Sequence, residues 1–176
     1  MPRIFSMRGK LTVIDNQVTV NHPVFSYSSP DRTRAWKVTS AYVWPVDTDV
    51  VHADDGFMLL KGALATDTGK LNANNLSDPT ENRFFAWAQQ SYNTRNGATD
   101  FITPNGVPLG SMTFLVDPDT IITNDIFINL ATRTDVDVNN SRDWGYLIIL
   151  EEQKITPVQS LFQQLKGIGQ DIAGTG

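Results

Sequence analysis

The chain holds two histidines and no cysteine, which sets narrow limits on the chemistry its side chains can perform. Disulfides, thiolate metal sites and cysteine nucleophiles are excluded. A serine-histidine-acid site needs a nucleophile context such as Gly-x-Ser-x-Gly, and none is present. A cupin-type metal centre needs closely spaced histidines beside a carboxylate, whereas His22 and His52 stand 30 positions apart. Glutamate is confined to Glu81, Glu151 and Glu152, while aspartate is abundant. Asp47, Asp49, Asp54 and Asp55 offer carboxylate pairs of the kind used in glycoside hydrolysis, yet a chain this rich in loop aspartates always contains some such pair. Together with His52 they read as a solvated acidic loop, or as a weak ion site at a subunit contact.

One stretch has the spacing of a cation site. Asp135, Asp137 and Asn139 place oxygen donors at positions one, three and five of a loop, as an EF-hand does. Position six is Asn140 rather than glycine, and position twelve is Tyr146 rather than a bidentate glutamate. An Asn/Asp turn between strands is the simpler reading, a structural calcium the alternative, and no other cofactor is expected.

Cations gather at the start of the chain. Arg3, Arg8, Lys10, Arg32, Arg34 and Lys37 face only Asp15 and Asp31 before residue 38, so that stretch carries +4 and the remainder -9 within a net charge of -5. Brought to one side of the fold, Arg3, Arg8, Lys10, Arg32 and Arg34 would attract polyanions, with Trp36 and Tyr42 available for stacking. Trp36 shares a strand face with Val38 and Trp44, so core packing is its simpler role. There is no dense basic arm, and any nucleic-acid contact would be sparse and salt-sensitive.

These residues must be held by strands. The 176 residues suffice for one domain that buries roughly 70% of its unfolded surface. Apolar residues make up 40% and charged residues 19%, with nine prolines and twelve glycines scattered, which argues against low-complexity disorder. No apolar run reaches the roughly 18 residues of a membrane-spanning helix, and Met1 to Lys10 lacks the apolar core of a secretory signal.

Arg3 to Ile14 and Gln17 to Asn21 read as strands of a hairpin turning at Asp15-Asn16. Ala35 to Trp44 alternates, and Pro45 ends it. Phe57 to Thr66 carries Gly62, where a bulge or a close approach is expected. Arg83 to Tyr92 fits a strand or a short helical turn. Asp100 to Thr103 is a short segment between the turn signals Asn96-Gly97 and Asn105-Gly106, and Met112 to Val116, Thr120 to Leu130 and Trp144 to Ile155 follow. In the last of these, Trp144, Tyr146, Ile148 and Leu150 share one face and Leu147 and Ile149 the other, which predicts a core strand buried on both sides. About eight strands joined by long connections predict an all-β, jelly-roll-like antiparallel sandwich with Greek-key crossings.

After residue 155 the period changes. Val158, Leu161, Phe162, Leu165, Ile168 and Ile172 recur at helical spacing. Thr156 is placed as the N-cap, Pro157 as the first helical residue, and Gln159 completes a capping box. Gly167 and Gly169 weaken the last turns, each by roughly 1 kcal/mol relative to alanine. The organisation predicted is a sandwich over 1–155 and a C-terminal amphipathic helix and tail over 156–176. The apolar face of the helix is assigned to packing on protein, either within the subunit or as an assembly interface with a neighbour. A membrane-surface role is disfavoured by the lack of a basic polar face.

Taken in order, the sandwich without catalytic equipment, the Asp117-Pro118-Asp119-Thr120-Ile121-Ile122-Thr123-Asn124-Asp125-Ile126-Phe127-Ile128 segment, and Trp144-Gly145-Tyr146-Leu147-Ile148-Ile149-Leu150-Glu151-Glu152 running into the helix at Thr156 form a familiar pattern. Over residues 34–172 it resembles the single jelly-roll capsid or virion proteins of small circular single-stranded DNA viruses. It departs from many of them in having no arginine-rich N-terminal arm and in being acidic overall. The resemblance implies a non-enzymatic structural subunit located in the virion, which forms homo-oligomers, tiles a shell and meets other virion proteins. The alternatives are a carbohydrate- or receptor-binding module using aromatics such as Tyr92 or Phe101, and an aspartate-dependent enzyme.

Overall fold

The computed structural model describes residues 2–26, 33–46, 56–66, 68, 75–81, 83–94, 111–134 and 141–162. Among the described residues nine strands follow one another: β1 (Ile4–Ile14), β2 (Val18–Phe25), β3 (Arg34–Pro45), β4 (Gly56–Ala65), β5 (Phe84–Thr94), β6 (Met112–Thr113), β7 (Leu115–Val116), β8 (Ile126–Thr134) and β9 (Ser141–Lys154). They form one sheet in the order β1-β9-β3-β6 and a second in the order β2-β8-β4-β5-β7.

The pairing is nested. β1 pairs with β9 and β2 with β8, β3 pairs with β6, and β4 with β5, all antiparallel. This long double ribbon is wrapped so that β9 also lies beside β3 and β8 beside β4. Such wrapping of two Greek keys into two facing sheets is the jelly roll. β6 and β7 are a single run kinked at Phe114, whose N–H donates to the Ala41 carbonyl at 3.0 Å. The kink moves the chain from one sheet to the other, so Met112 to Val116 is not one strand.

Alternation builds the core. Trp36, Val38, Ala41 and Val43 of β3 meet Leu60 and Leu64 of β4, Ile126, Ile128 and Leu130 of β8, and Trp144, Ile148 and Leu150 of β9 in a single apolar cluster. A smaller cluster lies on the outer side of the second sheet, where Leu76 of a 3-10 turn at Asn75–Ser77 covers Ala63, Ala65, Phe84 and Ala131. Removing such surface from water is the main favourable term in folding.

Several expectations are corrected. Asp15-Asn16 does turn the chain, with Asn16 at φ 60° and Gln17 N–H donating to the Ile14 carbonyl at 3.0 Å. It is not a hairpin, because β1 and β2 belong to different sheets. The turn is a corner of the sandwich. The strand expected from Thr120 begins at Ile126, since Asp117 caps a turn by accepting from the Asp119 amide (3.0 Å) and the Thr120 hydroxyl (2.7 Å). Only Ile122 pairs in that stretch, exchanging backbone hydrogen bonds with Trp36 (2.7 and 2.8 Å).

Phe84 to Thr94 is strand rather than helix. Gly62 causes no bulge; a Cβ there would lie 2.8 Å from Leu130 and 2.9 Å from Phe114, so it marks a close approach. The register shift falls instead between Leu64 and Ala65. In β9, Trp144, Tyr146, Ile148 and Leu150 are buried, but Leu147 and Ile149 are only half-buried. β9 is central within its sheet, flanked by β1 and β3, with its outer face partly open. Asp100 to Thr103 lies outside the described residues.

Candidate functional site

The C-terminal helix starts where its sequence places it. Gln159 N–H donates to the Thr156 hydroxyl (3.2 Å) and Thr156 N–H to the Gln159 side-chain oxygen (2.9 Å), the reciprocal bonds of a capping box. Ser160 N–H then donates to the Thr156 carbonyl at 3.0 Å. Just ahead, Ile155 is buried, and its N–H donates to the Thr33 carbonyl at 3.0 Å. The helical start is therefore fastened to the sandwich at the end shared by β3 and β9.

What the helix presents is unexpected for a cover. Over 157–162 the buried residue is Ser160, whereas Val158, Leu161 and Phe162 are 62%, 49% and 67% exposed. A helix closing its own sandwich would turn those three inward. Leu165, Ile168 and Ile172 lie outside the described residues.

The early cations are spread along β1 and β3 and are mostly committed to acids. Arg34 donates to Glu152 at 2.9 Å, with Arg3 3.9 Å from the same carboxylate. Lys10 donates to Asp143 at 2.6 Å, and the Thr12 hydroxyl donates to the other Asp143 oxygen at 2.6 Å. Those hydrogen bonds, Lys10 first, hold the Asp143 carboxyl below the usual aspartate range. Arg8 is exposed on β1 with no acid partner among the described residues. Arg32 lies outside them. Trp36 is core, 6% exposed and edge-on to both Phe5 and Phe25.

On the outer face of the same sheet the Trp44 indole lies against Gly145, where a Cβ would come within 2.8 Å of the ring. Tyr42 follows two positions away on that face, half-buried; the register shift between Val38 and Ser40 puts Tyr42 and Trp44 on the face opposite Trp36, not on the shared face that the alternation predicts. Neither residue stands out in sequence from the other aromatics of an alternating strand. The glycine within an apolar strand was the one available signal.

His22 stands on β2 opposite Ile128, with its ring 6.0 Å from Tyr146 at 70°. Burial pushes the Tyr146 phenol above its ordinary pKa. Among the described residues no three histidine or carboxylate groups come close enough to hold a metal ion. His52, the Asp47 to Asp55 loop, the Asp135, Asp137 and Asn139 loop, and Phe101 lie outside the described residues, as does the Tyr92 side chain. Among the described residues no helix is long and apolar enough to cross a membrane.

No protein family and no curated protein matches the sequence. Solved structures bear some similarity to it. The chain is similar to one in the structure of Turnip Yellow Mosaic Virus, with 6% identity over 89% of this chain and 96% of that one, at a TM-score of 0.41. It is also similar to VP1 of Trichodysplasia spinulosa-associated polyomavirus, with 10% identity over 87% and 96% and a TM-score of 0.44. A third is a chain of Mud crab tombus-like virus, with 9% identity over 90% and 86% and a TM-score of 0.41.

Proposed function

We propose that the chain is a structural subunit of a virion shell, of the kind its sequence pattern resembles in small circular single-stranded DNA viruses, and that it assembles with copies of itself. The observation that carries this reading is the capped helical start that holds Val158, Leu161 and Phe162 in water while burying Ser160. Burying a large aliphatic or aromatic side chain is worth about 1.5–3 kcal/mol. Three held outward on a fixed mount are a contact awaiting a neighbour. Leu165, Ile168 and Ile172 extend the same face in sequence and belong to the same proposed interface.

The cations contribute little to this reading, since Arg3, Lys10 and Arg34 already face Glu152 and Asp143. Contact with packaged nucleic acid would fall to Arg8 and Arg32. A structural calcium at Asp135, Asp137 and Asn139 would add to a shell contact without being needed for the fold. Electron microscopy and native mass measurement of the purified chain, with and without calcium, test the whole reading. The expected result is a closed particle or large oligomer, reduced to small species when residues from Thr156 onward are deleted while the unfolding midpoint of the sandwich is kept. A strictly monomeric chain at high concentration in every salt and calcium condition would sink it.

A further inference from the structure

Among the described residues the two sheets have four edges, and these are not equally protected. Two are formed by β6 and β7, of two residues each. The β2 edge is broken by two register shifts, by Pro23 and by Asn21 at φ 57°. Only β1 is long and regular, in unbroken register with β9 from Ile4 opposite Glu151 to Ile14 opposite Ser141. Short, bulged or proline-bearing edges resist pairing with another chain, and a long regular one invites it.

Which groups are open follows from one bond. Glu152 N–H donates to the Arg3 carbonyl at 2.8 Å, so odd-numbered residues of β1 direct their backbone groups to β9. The even-numbered residues turn theirs to the free edge. Of these, the Thr12 carbonyl takes the Thr19 hydroxyl (3.0 Å) and the Ile14 carbonyl the Gln17 N–H (3.0 Å), each with a lone pair left.

The sequence of this edge is a chemical palindrome. Reading outward from Gly9, Arg8 matches Lys10, Met7 matches Leu11, Ser6 matches Thr12, Phe5 matches Val13 and Ile4 matches Ile14. A two-fold contact requires that residue i meet residue j while j meets i. We infer that β1 pairs antiparallel with β1 of a second copy about a two-fold at Gly9, joining two four-stranded sheets into one of eight.

Every row but one sets compatible groups together. Ile4 meets Ile14, Phe5 meets Val13 and Met7 meets Leu11, covering Ile4, Phe5 and Ile14, which are 70%, 46% and 39% exposed in the single chain, while Val13 and Leu11 are already buried in their own chain and gain no cover. Ser6 meets Thr12, a hydroxyl pair of a kind that stabilises sheets. The exception sets Arg8 opposite Lys10. Lys10 is already bonded to Asp143, so Arg8 approaches an ion pair rather than a bare charge and gains the acid it lacks in the single chain. Gly9, which meets itself, has no side chain to clash. It is kept glycine from inside, where the Tyr146 ring occupies the Cβ position.

This pairing does not depend on the helix contact, so it is tested in a Val158→Ser, Leu161→Ser, Phe162→Ser background. Sedimentation should show a dimer. Arg8→Pro removes an N–H that faces the free edge and spares the β9 ladder; it should raise the dimer dissociation constant by about tenfold or more. Register is read separately. The chain has no cysteine, so Arg8→Cys and Lys10→Cys proteins carry single thiols. Oxidation to a disulfide should link the two when mixed, because directly opposed Cβ atoms lie about 5 Å apart, and should link neither protein to itself, because the diagonal partners lie about 7–8 Å apart, beyond disulfide reach. A monomer in the helix-variant background, a dimer untouched by a folded Arg8→Pro, or equal self-coupling of either thiol protein would overturn the inference. Should Arg8→Pro fail to fold, the coupling pattern decides alone. Loss of particles with retention of this dimer would count against the shell reading only.

Discussion

Asp15 is fully buried at the corner between β1 and β2, and its carboxylate is held by two side chains. Arg142 donates through Nε to both oxygens (2.8 and 2.9 Å) and places Nη2 2.8 Å from Oδ2, while the Thr132 hydroxyl donates at 3.2 Å. With the arginine side chain only 3% exposed, the ions are out of water and each depends on the other. The cluster ties the end of β1 to β8 and to the start of β9, 127 positions away in sequence for Arg142. Removing one partner of a buried pair leaves an uncompensated charge, at a cost of about 3–5 kcal/mol, whereas replacing both with apolar residues is often neutral. Asp15→Ala should therefore lower the urea-derived unfolding free energy by about that amount. The Asp15→Leu, Arg142→Met double variant should recover most of it. A loss in Asp15→Ala within about 0.5 kcal/mol, the range of an ordinary surface change, would show that the pair does not clamp the corner.

At the scale of elements, β1 is fixed to β9 by its backbone ladder and, on the outer face, by Lys10 and Thr12 meeting at Asp143. Both partners lower the Asp143 pKa in the folded chain. The sign follows: the contribution is fully present above the unfolded aspartate value, near 3.9, and is lost as pH falls through the lower folded value. Site-resolved titration should put the Asp143 midpoint below that of an ordinary aspartate, and Lys10→Met should move it upward. An unchanged midpoint in Lys10→Met would rule out Lys10 as the cause. Elements differ in how legible they were for related reasons. The helix start was legible because its cap, first-turn proline and partner glutamine are all local, and the structure shows the capping bonds as read. β9 was legible because alternation over its buried residues is strong. The hairpin was misread because Asp15-Asn16 reports a reversal of the chain, while the choice between returning beside β1 and crossing to the other sheet is made by β9 and β8, more than a hundred residues later. The same distance hid the Asp15 and Arg142 pair, since an aspartate in a turn reads locally as solvated.

Across the whole molecule, charge and shape separate two roles that the sequence left together. The first 37 residues carry +4, but folding sets Arg3 and Arg34 against one glutamate and Lys10 against an aspartate. The acids come from β9, so three of the six early cations are already paired in space. Of the early cations among the described residues, Arg8 and Lys37 form no ion pair, and Arg8 is the exposed one; with Arg32, which lies outside the described residues, it makes up the proposed phosphate contact. Binding to single-stranded nucleic acid releases counterions in proportion to the phosphates neutralised, with a slope of about -0.7 per contact in log K against log salt. Two contacts per chain give a slope of about -1.4, and Arg8→Gln should bring it to about -0.7. Titration of a labelled oligonucleotide at several salt concentrations measures both. A slope steeper than about -3 would mean that the Glu152 and Asp143 pairs open on binding, and the N-terminal strands would then be a nucleic-acid surface in their own right. A shallow slope fits a molecule whose first strand and exposed helical start at Val158, Leu161 and Phe162 meet protein rather than nucleic acid.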